Sequence, residues 1–111
     1  MTEDLTNVIK PILTLEDVRV MGWAAALQKA HEAYPEVQWN WRSFRITKEG
    51  GAGYTACAAA LLGYALGRPN AYSDGKICMS NISLATCHAN SFCEAIEMAA
   101  EAERAGRIPL P

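Results

Sequence analysis

Apolar residues recur at helical spacing in two stretches of the chain. Val20, Trp23, Ala24, Leu27, Ala30, His31 and Tyr34 fall three and four apart, which aligns them along one side of an α-helix. Glu16, Arg19, Gln28, Lys29 and Glu32 lie mostly off that stripe. Thr14-Leu15-Glu16-Asp17 places a hydroxyl at an N-cap position and a carboxylate three residues on, the shape of a capping box, and Pro35 stops the helix. The pattern predicts a helix over 15–34. Ser91-Phe92-Cys93-Glu94 repeats the box, and Phe92, Ala95, Ile96, Ala99 and Ala102 repeat the stripe. Gly106 can take the left-handed turn that closes this second helix, with Arg104 and Arg107 near the negative end of its dipole. It is predicted over 91–105. Between them, residues 55–66 are rich in Ala and Leu, the strongest helix formers. Thr55 can cap this segment, Gly67 can end it and Pro69 prevents continuation, so a third helix is predicted over 55–66. The alternative, a strand from Tyr54 to Leu62, runs against the depletion of Ala in strands.

Strand patterning is weaker. Val37, Trp39 and Trp41 alternate with Gln38, Asn40 and Arg42. After Ser43 the phase flips to Phe44 and Ile46, as at a β-bulge or a tight reversal. Asp74-Gly75 is a turn pair that can feed a second strand region, Lys76 to Leu84, in which Ile77 and Met79 share one parity and Ile82 and Leu84 the other. Residues 1–13, interrupted by Pro11, are expected to be an N-terminal arm lying on the core, and 107–111 an extended tail. Each helical stripe needs a partner to be buried against, and a sheet is the obvious one. The expected fold is therefore a single α+β domain over 14–106, a small antiparallel sheet flanked by two or three amphipathic helices (15–34, 55–66, 91–105).

Composition narrows the partners. The 111 residues are 50% hydrophobic and 20% charged, enough apolar content for one modest core and too much for a disordered chain. A net charge of −2 gives no general attraction to nucleic acid or anionic lipid. The start, Met1-Thr2-Glu3-Asp4, is acidic and unlike a secretory signal, and the longest apolar run, Ala56 to Leu62, is far short of the ~18 residues of a membrane span. A cytoplasmic protein with no membrane segment is expected. Its four cysteines, Cys57, Cys78, Cys87 and Cys93, then read as free thiols.

The candidate chemistry is sparse. Gly50, Gly51 and Gly53 form a glycine-rich loop ahead of Thr55 and the Ala/Leu segment, and backbone N–H groups at such a junction can hold an anion. The Gly-Lys-Ser/Thr ending of a phosphate loop and the Gly-x-Gly-x-x-Gly of a dinucleotide fingerprint are both absent. Cys78, Cys87, His88 and Cys93 are soft ligands, but structural zinc uses close pairs two to four residues apart, so neither a metal nor a cofactor is expected. Cys87 and Cys93 lie near the start of the last helix, where a thiolate is favoured, and His31 or His88 could serve as base; a small buried hydrophobe is the commoner role of cysteine. Trp39 and Trp41 beside Arg42, Arg45 and Lys48 can be core, a protein-binding anchor, or a stacking platform for bases. Glu94, Glu97 and Glu101, with Glu103 beside them, make an acidic stripe on the last helix, either a solvated face or a patch that meets a basic partner.

Leu15-Glu16-Asp17 through Ala24-Ala25-Ala26-Leu27, the Trp-containing strand, and Ala85-Thr86-Cys87-His88 running into Glu94-Ala95-Ile96 together resemble small phage-encoded α/β sandwich proteins, including anti-CRISPR inhibitors. The resemblance implies a stoichiometric binder that blocks a host complex, working in the host cytoplasm, and it carries no site residue across. The glycine loop has in addition a look of the acyl-CoA loop of small acetyltransferases. The leading expectation is a non-enzymatic protein-binding module using Trp39, Trp41, Arg42, Glu94, Glu97 and Glu101. The alternative is a small ligand-binding or acyl/phosphate-handling enzyme using Gly50, Gly51, Gly53 and Thr55 or a thiol. The third is a single-stranded nucleic-acid binder.

Overall fold

A computed structural model describes residues 2–4, 10–35, 37–39, 47–49, 54–56, 58–67, 79–86 and 88–110. Within them, the helices are α1 (Leu15–Met21), α2 (Trp23–Ala33), α3 (Ala58–Ala65), α4 (Met79–Thr86) and α5 (Phe92–Arg104). The two amphipathic stripes read from the sequence meet each other over α2 and α5, but Val20, read as part of the first, is 81% exposed, and Ala26, not read as part of it, is buried. Trp23, Ala26, Leu27 and Ala30 of α2 and Phe92, Ala95, Ala99 and Ala102 of α5 are all buried, and α2 with α5 is the most extensive helix–helix contact. Alanine at most of these positions lets the two backbones approach closely, while Leu27 and Phe92 fill the space beside them. α3 packs on α2 and α4, α4 on α5, and α1 on α2. Ala58, Ala59, Leu61, Leu62 and Ala65 of α3 are all buried, so this helix is apolar on almost every side, as a central helix must be.

Four three-residue strands are also described: β1 (Thr2–Asp4), β2 (Val37–Trp39), β3 (Thr47–Glu49) and β4 (Tyr54–Ala56), in the order β1-β3-β4-β2. β3 is antiparallel to both β1 and β4, whereas β2 runs parallel to β4 with Val37 opposite Tyr54 and Trp39 opposite Ala56. The main packing of each strand is on other strands, and that of each helix on other helices. The expected α+β fold, an antiparallel sheet covered by helices, is thus overturned. The domain is helical, because α2 buries its apolar face on α5 and α3, and α4 packs on both α3 and α5, so these faces need no sheet beneath them.

Three further expectations change. The helix predicted over 15–34 breaks at Gly22, which has φ 90° and ψ 164°, a conformation essentially closed to residues with a Cβ. The helix predicted over 55–66 starts later, at Ala58, because Thr55 is paired in β4 between Gln38 and Thr47 and does not cap it. The strand expected over 76–84 is helix α4 from Met79 onward. The change of parity between Met79 and Ile82 is a spacing of three, and Ile82 and Thr86, four apart, are both buried on one side of the helix. The bulge expected near Arg42-Ser43 and the Asp74-Gly75 turn lie outside the described residues.

The helix ends follow the sequence signals. Thr14 and Asp17 form the capping box of α1 in both directions, and the Ser91 hydroxyl oxygen accepts the Glu94 N–H at 3.1 Å. Gly67 and Gly106 both have positive φ. After α5 the Gly106 N–H donates to the Glu103 carbonyl and the Arg107 N–H to the Ala102 carbonyl, the paired bonds of a Schellman turn. The end of the arm and part of the tail reach the core. Leu13 and Ile108 are buried. The Ile12 and Leu13 N–H groups both donate to the carbonyl of Ala65 at the end of α3. The Tyr34 hydroxyl accepts from the Lys10 N–H at 2.7 Å.

Candidate functional site

The last helix carries three of the expected site residues, Glu94, Glu97 and Glu101. Its buried face is fixed by Phe92, Ala95, Ala99 and Ala102. By the same periodicity Glu97 and Glu101, four apart, stand exposed on the outer face, and Glu94 is half-buried in the first turn. Neither Glu97 nor Glu101 belongs to an ion pair among the described residues, where the ion pair is Arg19 with Glu16 on α1. A carboxylate in the first turn of a helix, as Glu94 is, is favoured by the helix dipole.

Glu103 does something different from the rest of the acidic stripe. Its Oε2 accepts the backbone N–H of Trp23 at 2.6 Å, across 80 residues of chain. Gly22, the N-cap of α2, has no side chain to do this, so the cap comes from α5. The carboxylate fits because Gly22 lacks a Cβ: one built there would stand 2.7 Å from Glu103 Oε2. The Trp23 indole Nε1–H donates to the Pro109 carbonyl at 2.9 Å. The segment from Glu103 to Pro109 therefore holds the start of α2 by both its backbone and its indole.

The remaining expected residues are not brought together by what is described. Trp39 lies at the end of β2, and Thr55 in β4. Trp41, Arg42, Gly50, Gly51 and Gly53 lie outside the described residues, as do Arg45, Cys57, Cys78 and Cys87. The glycine loop leads into strand β4 before α3 begins, so it does not open directly onto a helix N-terminus. Cys93, in the first turn of α5, is an exposed free thiol. The His31 ring stacks on Phe92 with centroids 4.6 Å apart and planes at 19°, and its Nδ1 is buried without a hydrogen bond. That contact places His31 in the α2–α5 packing. Among the described residues no three His, Cys, Asp or Glu side chains gather as metal ligands would.

One concavity was not foreseen. A cleft of about 310 Å³ opens between α4 and the turn after α5, with Asn81, Leu84, Ala85 and Arg107 in its lining. Asn81, Leu84 and Ala85 are three and four apart, a helical grouping that stays invisible while 76–84 is read as a strand.

No helix among the described residues is long and apolar enough to cross a membrane. No protein-family model, curated protein or solved structure matches the chain.

Proposed function

We propose that the protein is a non-enzymatic binding module that meets a basic protein partner through the outer face of α5. The observation that carries this is the division of labour along that helix. Phe92, Ala95, Ala99 and Ala102 hold the core and Glu103 caps α2, while Glu97 and Glu101 are exposed and serve neither purpose. Charges placed this way speed encounter and select partners without disturbing the fold. Trp39, Trp41 and Arg42 stand as the second part of the contact, on the enrichment of Trp and Arg in interface hot spots. The sequence resemblance to phage-encoded inhibitors, whose α/β sandwich this helical domain does not share, motivates a finer proposal, that the partner is a component of a host defence complex met in the cytoplasm.

The test is affinity capture from host cells, followed by mass spectrometry, with the wild-type chain and with Glu97→Lys/Glu101→Lys. A partner recovered by the first and lost by the second, at equal melting temperature, supports the module. Recovery of the same proteins by both sinks the α5 surface.

A further inference from the structure

We propose that the cleft between α4 and the turn after α5 binds a small organic carboxylate carrying an apolar group, with the carboxylate on Arg107 and the apolar group against Leu84 and Ala85. This is independent of the α5 outer face.

The cleft is built from two fixed elements. Ile82 and Thr86 anchor α4 in the core, and the buried Thr86 hydroxyl is satisfied by donating to the Ile82 carbonyl at 2.8 Å. That leaves Asn81, Leu84 and Ala85 for the cleft. On the other side the Arg107 backbone is set by its N–H bond to the Ala102 carbonyl at 2.9 Å. Its guanidinium forms no ion pair among the described residues. A cation beside a hydrogen-bonding amide and an apolar wall is the usual make-up of a ligand pocket.

The chemistry of the lining selects the ligand. A guanidinium presents a planar fork that a carboxylate matches with two parallel hydrogen bonds. Phosphate sites gather several donors, often backbone N–H groups at a helix start, and Arg107 is the one cation in the described lining. About 310 Å³ lies at the small end of ligand pockets, which run from about 300 to 1,000 Å³. It suits an amino-acid-sized molecule. Leu84, 72% exposed, is a large apolar side chain whose cover would be the ligand's apolar part.

Two sources share this chemistry, a free small carboxylate and the C-terminal residue of a peptide. The test is an amide chemical-shift titration of the full chain with N-acetyl-leucine, N-acetyl-leucinamide, and a hexapeptide ending in leucine with a free carboxylate. N-acetyl-leucine should give saturable shifts at Asn81 and Arg107. The amide should bind about tenfold more weakly or worse, since it lacks the charge. Arg107→Gln should cost about 10- to 100-fold in affinity, the range for a lost hydrogen bond to a charged group. It keeps the backbone bonds of the turn, so an unchanged melting temperature shows that folding is not the cause. Arg104→Gln, outside the described lining, should change nothing. A hexapeptide binding much more tightly than N-acetyl-leucine identifies a peptide end as the ligand, and equal affinities identify a free carboxylate. Absence of saturable shifts with both acids, equal binding of acid and amide, or full affinity in Arg107→Gln would each overturn the proposal.

Discussion

At the scale of single residues, the polar groups that matter most tie distant parts of the chain together. Glu103 supplies to α2 the cap that Gly22 cannot. Glu103→Ala should therefore destabilise the domain by about 1–2 kcal/mol, the cost of losing an N-cap acceptor and its charge at a helix start. Glu101→Ala, two residues away and exposed, should stay within about 0.5 kcal/mol. Urea denaturation of the two variants checks the contrast, and equal losses would remove Glu103 from its capping role. Asp17 gives a pH signature. Its carboxyl is held below the ordinary aspartate value by the Thr14 backbone N–H first and the Thr14 side chain second, with Lys29 adding to the effect. The folded-state value is depressed, so the stabilisation is fully present above the unfolded value of about 3.9 and is lost as pH falls through the folded value. Thr14→Ala removes one side of the box. It should lower stability by about 1 kcal/mol at neutral pH and flatten the loss of stability below about pH 4. Denaturation midpoints measured from pH 2 to pH 7 would show an undiminished acid slope if the Thr14 side chain played no part, since the variant keeps the backbone N–H that donates to Asp17.

At the scale of elements, Gly22 decides that the first helical stripe becomes two helices. Its backbone conformation disfavours any Cβ, and a Cβ there would push on the Glu103 carboxylate. Gly106 also has positive φ, but a Cβ there would meet nothing within 4 Å. Gly22→Ala should thus cost about 2–3 kcal/mol, combining backbone strain with damage to the cap, and Gly106→Ala about 1 kcal/mol from conformation alone. Because Gly22 and Glu103 share one interaction, Gly22→Ala with Glu103→Ala should cost less than the sum of the two. Additive losses in a double-mutant cycle would show the contact to be energetically idle. α3 offers a cruder check. Leu62 is buried in the interior of α3, where proline would lack the N–H that a helical residue donates four residues back and its ring would clash with that carbonyl, so Leu62→Pro should cost about 3 kcal/mol or more. An unchanged thermal transition in that variant would contradict a helix over Ala58–Ala65.

For the whole molecule, stability resides where α2 packs on α5 and on α3. Leu27 is fully buried, and Leu27→Ala should cost about 2–5 kcal/mol by opening a cavity the neighbouring alanines cannot fill. Glu97→Lys/Glu101→Lys should leave the melting temperature nearly unchanged, since each exposed charge contributes about 1 kcal/mol or less. A melting temperature that falls as far in the charge variant as in Leu27→Ala would place those carboxylates in the fold and not on a free surface. The separation of core from surface along α5 is what makes a binding role testable without unfolding the protein.

The local grammar of this chain is legible from its residues alone. The Thr14–Asp17 box, the Ser91 cap, the Gly67 and Gly106 turns and the buried faces of α2 and α5 all follow from interactions within a few residues, and those are written in spacing and residue type. What each apolar face meets is settled by contacts between elements far apart in the chain. Nothing local says that two helical stripes will pack on each other instead of on a sheet, so the helical fold was misjudged as α+β. A short apolar run such as 76–84 fits a kinked strand or a helix equally well until Ile82 and Thr86 find their neighbours. Glu103 looked like one more surface acid because its partner lies 80 residues away. The cleft at Arg107 was equally hidden, since its walls come from two elements that only folding brings side by side.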